Sequence, residues 1–233
     1  MASTVTLITG ANKGLGRETA RALIEAGHTV WVSARDGDRG RAAAQQLGAR
    51  FVSLDVTDQQ SVEEAALTLE REHGVLDVLV NNAGIPDRRE TAAEVRVDDL
   101  RAVYETNVFG VVRTIQAFAP LLLRADAPVI VNVSSGRGSL AYTNDPQRPE
   151  SSVTSLAYPS SKCALNMLTC HYAKAYPQMR INAVEPGFTA TDFNDHRGTK
   201  TVQEGAQAIV RAALLSADGP TGAFLDSEGT VPW

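Results

Sequence analysis

The chain has 233 residues, and its 22 basic and 27 acidic side chains leave a net charge of −5 with no block of like charge. That balance disfavours nucleic acid and anionic membrane surfaces as partners, and no apolar run reaches the ~18 residues of a membrane span. The length suits one α/β domain with a substantial core.

Met1-Ala-Ser-Thr leads straight into a strand-like segment with no signal-peptide pattern, so a cytoplasmic location is expected. Short β-branched runs then alternate with longer helix-patterned segments. Strands are predicted at Thr4–Thr9, Thr29–Ala34, Arg50–Leu54, Leu76–Asn81, Pro128–Ser134, Arg180–Glu185 and Gly222–Asp226. Helices are predicted at Leu15–Ala26, Arg39–Leu47, Gln59–Glu72, Val97–Arg124, Leu156–Ala175 and Val202–Ser216. This alternation implies βαβ units and a parallel, doubly wound α/β sheet of about seven strands covered by helices on both faces. Continuous apolar runs such as Val129-Ile-Val fit strands buried on both sides. The polar stretch from Arg137 to Ser155, with Asn144-Asp-Pro146 and Pro149, reads as a long loop. Cys163 and Cys170 fall on one predicted helix, too far apart along it for a disulfide and wrongly spaced for metal ligands. No metal site is expected, and a single domain over 1–233 is.

The first βα junction reads Thr9-Gly10-Ala-Asn12-Lys13-Gly14-Leu15-Gly16. Its glycines permit a tight turn and close approach of backbone to a ligand, and the helix start offers free N–H groups to a pyrophosphate. At the tip of the second strand stand Ala34-Arg35-Asp36. Arg35 and Lys13 suit the 2′-phosphate of NADP(H); alternatively both are solvated and Asp36 reads the ribose of NAD. Asp55, followed by Val56, is placed to accept from an adenine amino group, or it belongs to a helix start with Thr57. Asn81-Asn82-Ala83-Gly84 ends the fourth strand, where small residues let a cofactor lie against backbone and asparagines can tie strands together.

Tyr158 and Lys162 stand one above the other on a helix, and an ammonium beside a phenol lowers the phenol pKa from about 10 toward a usable acid or base. Asn107 interrupts an apolar helix segment, either as a kink or to hold a water beside the lysine. Ser134 and Ser135 end the fifth strand, where a hydroxyl can meet a substrate carbonyl. Glu185-Pro186-Gly187 makes a sharp exit from the sixth strand, and Thr189 beyond it can bond a nicotinamide carboxamide or a phosphate.

Taken together, these motifs resemble the short-chain dehydrogenase/reductase family from about residue 4 to 226, and most of all the NADPH-dependent carbonyl reductases. The resemblance implies a Rossmann-type domain and an NADP(H)-dependent oxidoreductase acting on a small carbonyl or alcohol. It makes Ser135 the catalytic serine rather than Ser134, Tyr158 the proton donor, Lys162 its electrostatic partner and holder of the nicotinamide ribose, and Asn107 the holder of a relay water. It implies a cofactor site along Gly10, Asn12, Lys13, Gly14, Leu15, Gly16, Arg35, Asp55, Val56, Asn82, Ala83, Gly84, Tyr158, Lys162, Pro186, Gly187 and Thr189. The 137–155 stretch resembles, in reduced form, the insertion of monomeric carbonyl reductases, which leaves monomer and homodimer both open. Residues 188–200 correspond to the family's substrate lid, with Phe193 and His196 either lining the site or on the surface. The competing readings are an NAD-dependent alcohol dehydrogenase and a dinucleotide-sensing protein without chemistry. Substrate identity is not written in these motifs.

Overall fold

The computed structural model describes residues 3–88 and 90–233. Seven parallel strands form one sheet: β1 (Val5–Ile8), β2 (Thr29–Ala34), β3 (Arg50–Ser53), β4 (Val78–Asn81), β5 (Val129–Val133), β6 (Arg180–Val184) and β7 (Phe224–Leu225). The spatial order is β3-β2-β1-β4-β5-β6-β7. The chain winds outward from β1 to β3, then returns to lay β4 against the other side of β1. Strand order therefore reverses between β1 and β4, and the crevice at their carboxyl ends is where such Rossmann-type sheets take ligands.

Helices α1 (Gly14–Glu25), α2 (Gly37–Leu47), α3 (Gln59–His73), α4 (Val97–Tyr104), α5 (Gly110–Leu122), α6 (Leu140–Asn144), α7 (Ala157–Ala175) and α8 (Val202–Ala213) connect the strands. Alternate strand residues face opposite layers. Leu7, Leu79 and Ile130 pack with α3, α5 and α7, whereas Ile8, Val80 and Val131 pack with α1 and α8. Both faces are thus apolar, which is why these strands read as unbroken hydrophobic runs.

Two predicted elements differ from the structure. The single helix expected over Val97–Arg124 is two helices, α4 and α5, joined by a π-helical turn at Glu105–Phe109 that carries Asn107. One additional residue is accommodated in that turn, a device found most often at functional sites. The expected 137–155 loop contains α6 and two 3₁₀ turns, Gly136–Gly138 and Pro149–Ser152. The hydroxyl of Ser139 caps α6 by accepting from the Tyr142 N–H and donates to the Pro232 carbonyl. Cys163 and Cys170 are free thiols on α7. Among the described residues no helix is long and apolar enough to cross a membrane, and no His, Cys, Asp and Glu cluster could hold a metal.

Candidate functional site

The β1–α1 turn is held from the strand beside it. Thr9 Oγ1 accepts from the backbone N–H groups of Asn82 and Ala83, and Asn82 Nδ2 donates to the carbonyls of Thr9 and Gly10 at 2.9 and 3.1 Å. Gly10 adopts φ +63°, a left-handed backbone that favours glycine. A Cβ on Gly16 would lie 2.4 Å from Asn82 Nδ2, so only glycine lets α1 start this close to β4. The crevice between β1 and β4 is therefore floored by backbone at Gly10, Gly14 and Gly84, with Asn12 and Leu15 half-buried beside it.

Around that floor, four expected cofactor residues have defined partners. Lys13 is exposed and pairs at 3.0 Å with Asp192 of the 188–200 segment. Asp36 caps α2 by accepting from the Arg39 N–H, and its second oxygen pairs with Arg39 Nε at 3.2 Å. Its carboxylate thus serves the helix start. Arg35, exposed at the same strand tip, has no hydrogen bond or ion pair with any described residue. Asp55 Oδ1 accepts from both the backbone and hydroxyl of Thr57, the local turn weighed as its alternative, and the Val56 carbonyl accepts from Arg113.

Beneath the floor a buried polar chain crosses the sheet. The Thr114 hydroxyl donates to Asn81, Asn81 donates to Asn132 at 2.9 Å, and Asn132 donates to Thr169. Two consecutive asparagines ending β4 thus divide the work: Asn81 ties β4 to β5, α5 and α7, and Asn82 ties it to the first turn. Each buried amide has partners, without which burial would cost about 1–3 kcal/mol per group.

Helix α7 turns a polar face inward. Ser161, Lys162, Asn166 and Thr169 are all buried and all bonded. Lys162 Nζ donates to the Val133 carbonyl at 2.8 Å and lies 5.6 Å from the Tyr158 ring centre. The hydroxyl of Ser134 donates to Asn166 at 2.6 Å inside the protein, whereas the Ser135 hydroxyl accepts from the Arg137 N–H at 3.3 Å and acts on the Tyr158 phenol, lowering its pKa. Alternating strand geometry sends the two serines opposite ways. The start of α7 is capped from afar, with the Tyr158 N–H donating to Asp87.

Asn107 is fully buried. Its oxygen accepts from the Ile85 N–H, and its nitrogen donates to the Ile85 carbonyl and to the Ser161 hydroxyl. The side chain thus makes a direct bridge from the π turn to the β4 exit and α7. Gly84 lies between them, since a Cβ there would meet Asn107 Oδ1 at 3.3 Å and Lys162 Nζ at 3.8 Å.

The electrostatics correct one expectation. Desolvation raises the Tyr158 phenol above its usual value, Glu185 raises it further, and the Ser135 hydrogen bond and the Arg137 charge pull the other way. Burial also brings the Lys162 ammonium down to about 8, opposed by Glu185, and the raised phenol shows that desolvation outweighs what that ammonium gives it. A buried ammonium loses more from desolvation than it gives to a phenol it does not bond. At neutral pH the phenol holds its proton.

Glu185 is the site residue that sequence reasoning passed over. Just beyond β6, it accepts from the N–H groups of Gly136 and Gly187, and burial raises its carboxyl pKa. Its only sequence signal was its place before Pro186-Gly187, where it passed for a strand exit. Thr189 is buried and bonds within its own turn to the Pro186 and Gly187 carbonyls. Of the two lid residues left open, Phe193 sets its ring against Tyr158, while His196 lies at the surface on Asp192.

Ser135, Tyr158, Lys162, Asn107, Gly84 and Pro186-Gly187 are thus gathered along the carboxyl ends of β4, β5 and β6, beside the glycine turn. A family model described as short chain dehydrogenase matches residues 4–201. The chain is 34% identical to short-chain dehydrogenase/reductase 1 of Saponaria officinalis over 97% of its own length and 95% of that protein. It is 32% identical to salutaridine reductase of Papaver bracteatum, over 94% of this chain and 93% of that one. In structure it is similar to NADPH-bound carbonyl reductase from chicken fatty liver, with a TM-score of 0.87, 29% identity and all of both chains covered.

Proposed function

The chain belongs to the short-chain dehydrogenase family of oxidoreductases, and we propose that it reduces the carbonyl of an aldehyde, ketone or quinone to an alcohol with NADPH. The observation that carries this reading is a buried Tyr158 phenol that keeps its proton at neutral pH beside the hydroxyl of Ser135. A reductase needs its acid protonated before the reaction, and a raised pKa provides that.

The cofactor fits the residues present. The β1–β4 crevice has a backbone floor, and Arg35 at its rim has a guanidinium that no described residue engages while Asp36 is committed to α2. This favours a 2′-phosphate over a bare ribose. Gly10–Gly16, Lys13, Arg35, Asp55, Val56, Asn82–Gly84, Lys162 and Pro186–Thr189 would hold the dinucleotide, which supplies the hydride.

The protein's part is orientation and proton transfer. Ser135 and Tyr158 present two hydroxyls to one carbonyl oxygen. As hydride adds to the carbonyl carbon, the Tyr158 proton passes to the oxygen and the alcohol forms. The tyrosinate left behind is stabilised by the Lys162 ammonium and regains its proton from solvent. Asn107 keeps the π turn, the β4 exit and α7 in register around Lys162. The lid over 188–200 closes the substrate side, with Phe193 on the phenol.

Oxidation of NADPH and of NADH, followed at 340 nm across aldehydes, ketones and quinones, tests the reading. Tyr158→Phe is expected to abolish turnover and leave NADPH binding intact. Retained turnover in that variant, or a preference for NADH, would overturn it.

A further inference from the structure

We propose that Glu185 is a positioning residue of the active site: its carboxylate clamps the Ser135–Gly136 turn to the Pro186–Gly187 turn and so fixes the hydroxyl pair relative to the cofactor loop. The inference rests on the function proposed above.

The geometry assigns one oxygen to each turn. Oε1 accepts from the Gly187 N–H at 2.9 Å, and Oε2 accepts from the Gly136 N–H. Gly136 directly follows Ser135, whose hydroxyl meets Tyr158, and Gly187 opens the segment that reaches Thr189 and the lid. A single side chain therefore spans the substrate and cofactor sides of the crevice. A cap serving β6 alone would need only the Gly187 bond.

The surroundings keep this clamp short of room. A Cβ on Gly136 would lie 2.8 Å from Glu150 Oε1, so a second carboxylate closes the far side of the turn. The Lys200 stem lies over Gly187, where a Cβ would meet it at 2.7 Å. The charged and titratable groups that act on Glu185 or feel it are Glu150, Lys200, Tyr142, Tyr158 and Lys162, with Arg137 acting on Tyr158 as well.

Holding both N–H groups at once calls for an ionised carboxylate. Protonation would place an O–H donor against one of the two N–H donors and open the clamp at that turn. Falling pH therefore releases it, and burial moves that release above the ordinary carboxyl range.

The test uses the full-length protein in two arms. Amide proton shifts of Gly136 and Gly187 followed against pH are expected to share one midpoint above that of an ordinary glutamate, and to lose it in Glu185→Gln. In that variant kcat is expected to fall about tenfold or more, with the NADPH dissociation constant within about threefold of wild type and the acid limb of the pH profile displaced. Amides that titrate separately or not at all would overturn the clamp. So would a Glu185→Gln enzyme with kcat within about twofold of wild type and an unmoved pH profile. Wild-type protein without carbonyl-reducing turnover would sink the proposed function, while the amide titration still decides the clamp.

Discussion

Phe193 sets its ring edge-on to that of Tyr158, with centroids 5.4 Å apart and planes at 61°. The contact joins the lid segment to the proposed proton donor although 35 positions separate them in the chain. An aromatic pair of this kind contributes about 0.5–1.5 kcal/mol. Phe193→Ala is expected to raise KM for aryl ketones by about two- to tenfold and to leave KM for short aliphatic aldehydes unchanged. Steady-state kinetics on both substrate types will check it; equal changes on both would mean that Phe193 acts on Tyr158 alone.

The two serines ending β5 should separate stability from chemistry. Ser135→Ala removes the hydroxyl that meets Tyr158, and a loss of about 10²–10³ in kcat is expected without a change in fold. Ser134→Ala strips a buried partner from Asn166 and should cost about 1–3 kcal/mol in urea unfolding while kcat stays near wild type. The reverse pattern would exchange their roles.

Cofactor choice should lie with the cations at the crevice rim. Arg35→Ala is expected to weaken NADPH binding about tenfold or more and leave NADH binding unchanged. Lys13→Ala should act in the same direction but less, because Lys13 already shares an exposed pair with Asp192. Asp36→Ala should lower stability by about 0.5–2 kcal/mol through its lost cap without improving NADH use. Cofactor fluorescence titration separates these outcomes.

Lys162 gives stability a pH dependence of known sign. Burial holds its ammonium at about 8 in the folded chain against 10.5 for the free side chain. Between these values the unfolded chain carries a proton that the folded chain lacks, so stability rises with pH. Relative to Lys162→Met, wild-type protein should gain up to about 1.4 kcal/mol per pH unit across that window. Urea midpoints from pH 7 to 10 will show it. Wild-type stability that falls relative to Lys162→Met across that window would contradict the buried ammonium. The raised phenol of Tyr158 reverses the trend above 10, where the folded chain holds the extra proton.

The central sheet was legible because β4 and β5 are buried on both faces, so Val129-Ile-Val and Leu79-Val had no polar alternation to confuse the reading. The glycine turn, the Asn81-Asn82 pair and the Tyr158–Lys162 pair were legible because each depends on residues close in sequence. The π turn showed only as the interruption at Asn107, since the apolar residues of α4 and α5 resume on either side of it and a wide turn leaves no period of its own. Helix α6 is five residues between turn signals, too short to leave a period. The Lys13–Asp192 pair and the Glu185 bonds join segments far apart in the chain, and only the fold brings them together. The phenol pKa was misjudged for a related reason. The ammonium's influence was inferred from spacing, whereas desolvation depends on everything packed around it.

The π turn at Glu105–Phe109 has an evolutionary edge. It holds one residue more than a regular helix would, so deleting a single codon there would heal α4 and α5 into one uninterrupted rod. The deletion would remove the wide turn that aims Asn107 at Ile85 and Ser161. A more regular backbone thus lies one small genetic step away, and taking it would dismantle the scaffold around Lys162. Natural variants of this chain should accept substitutions at Thr106 and Val108 far more readily than the loss of either.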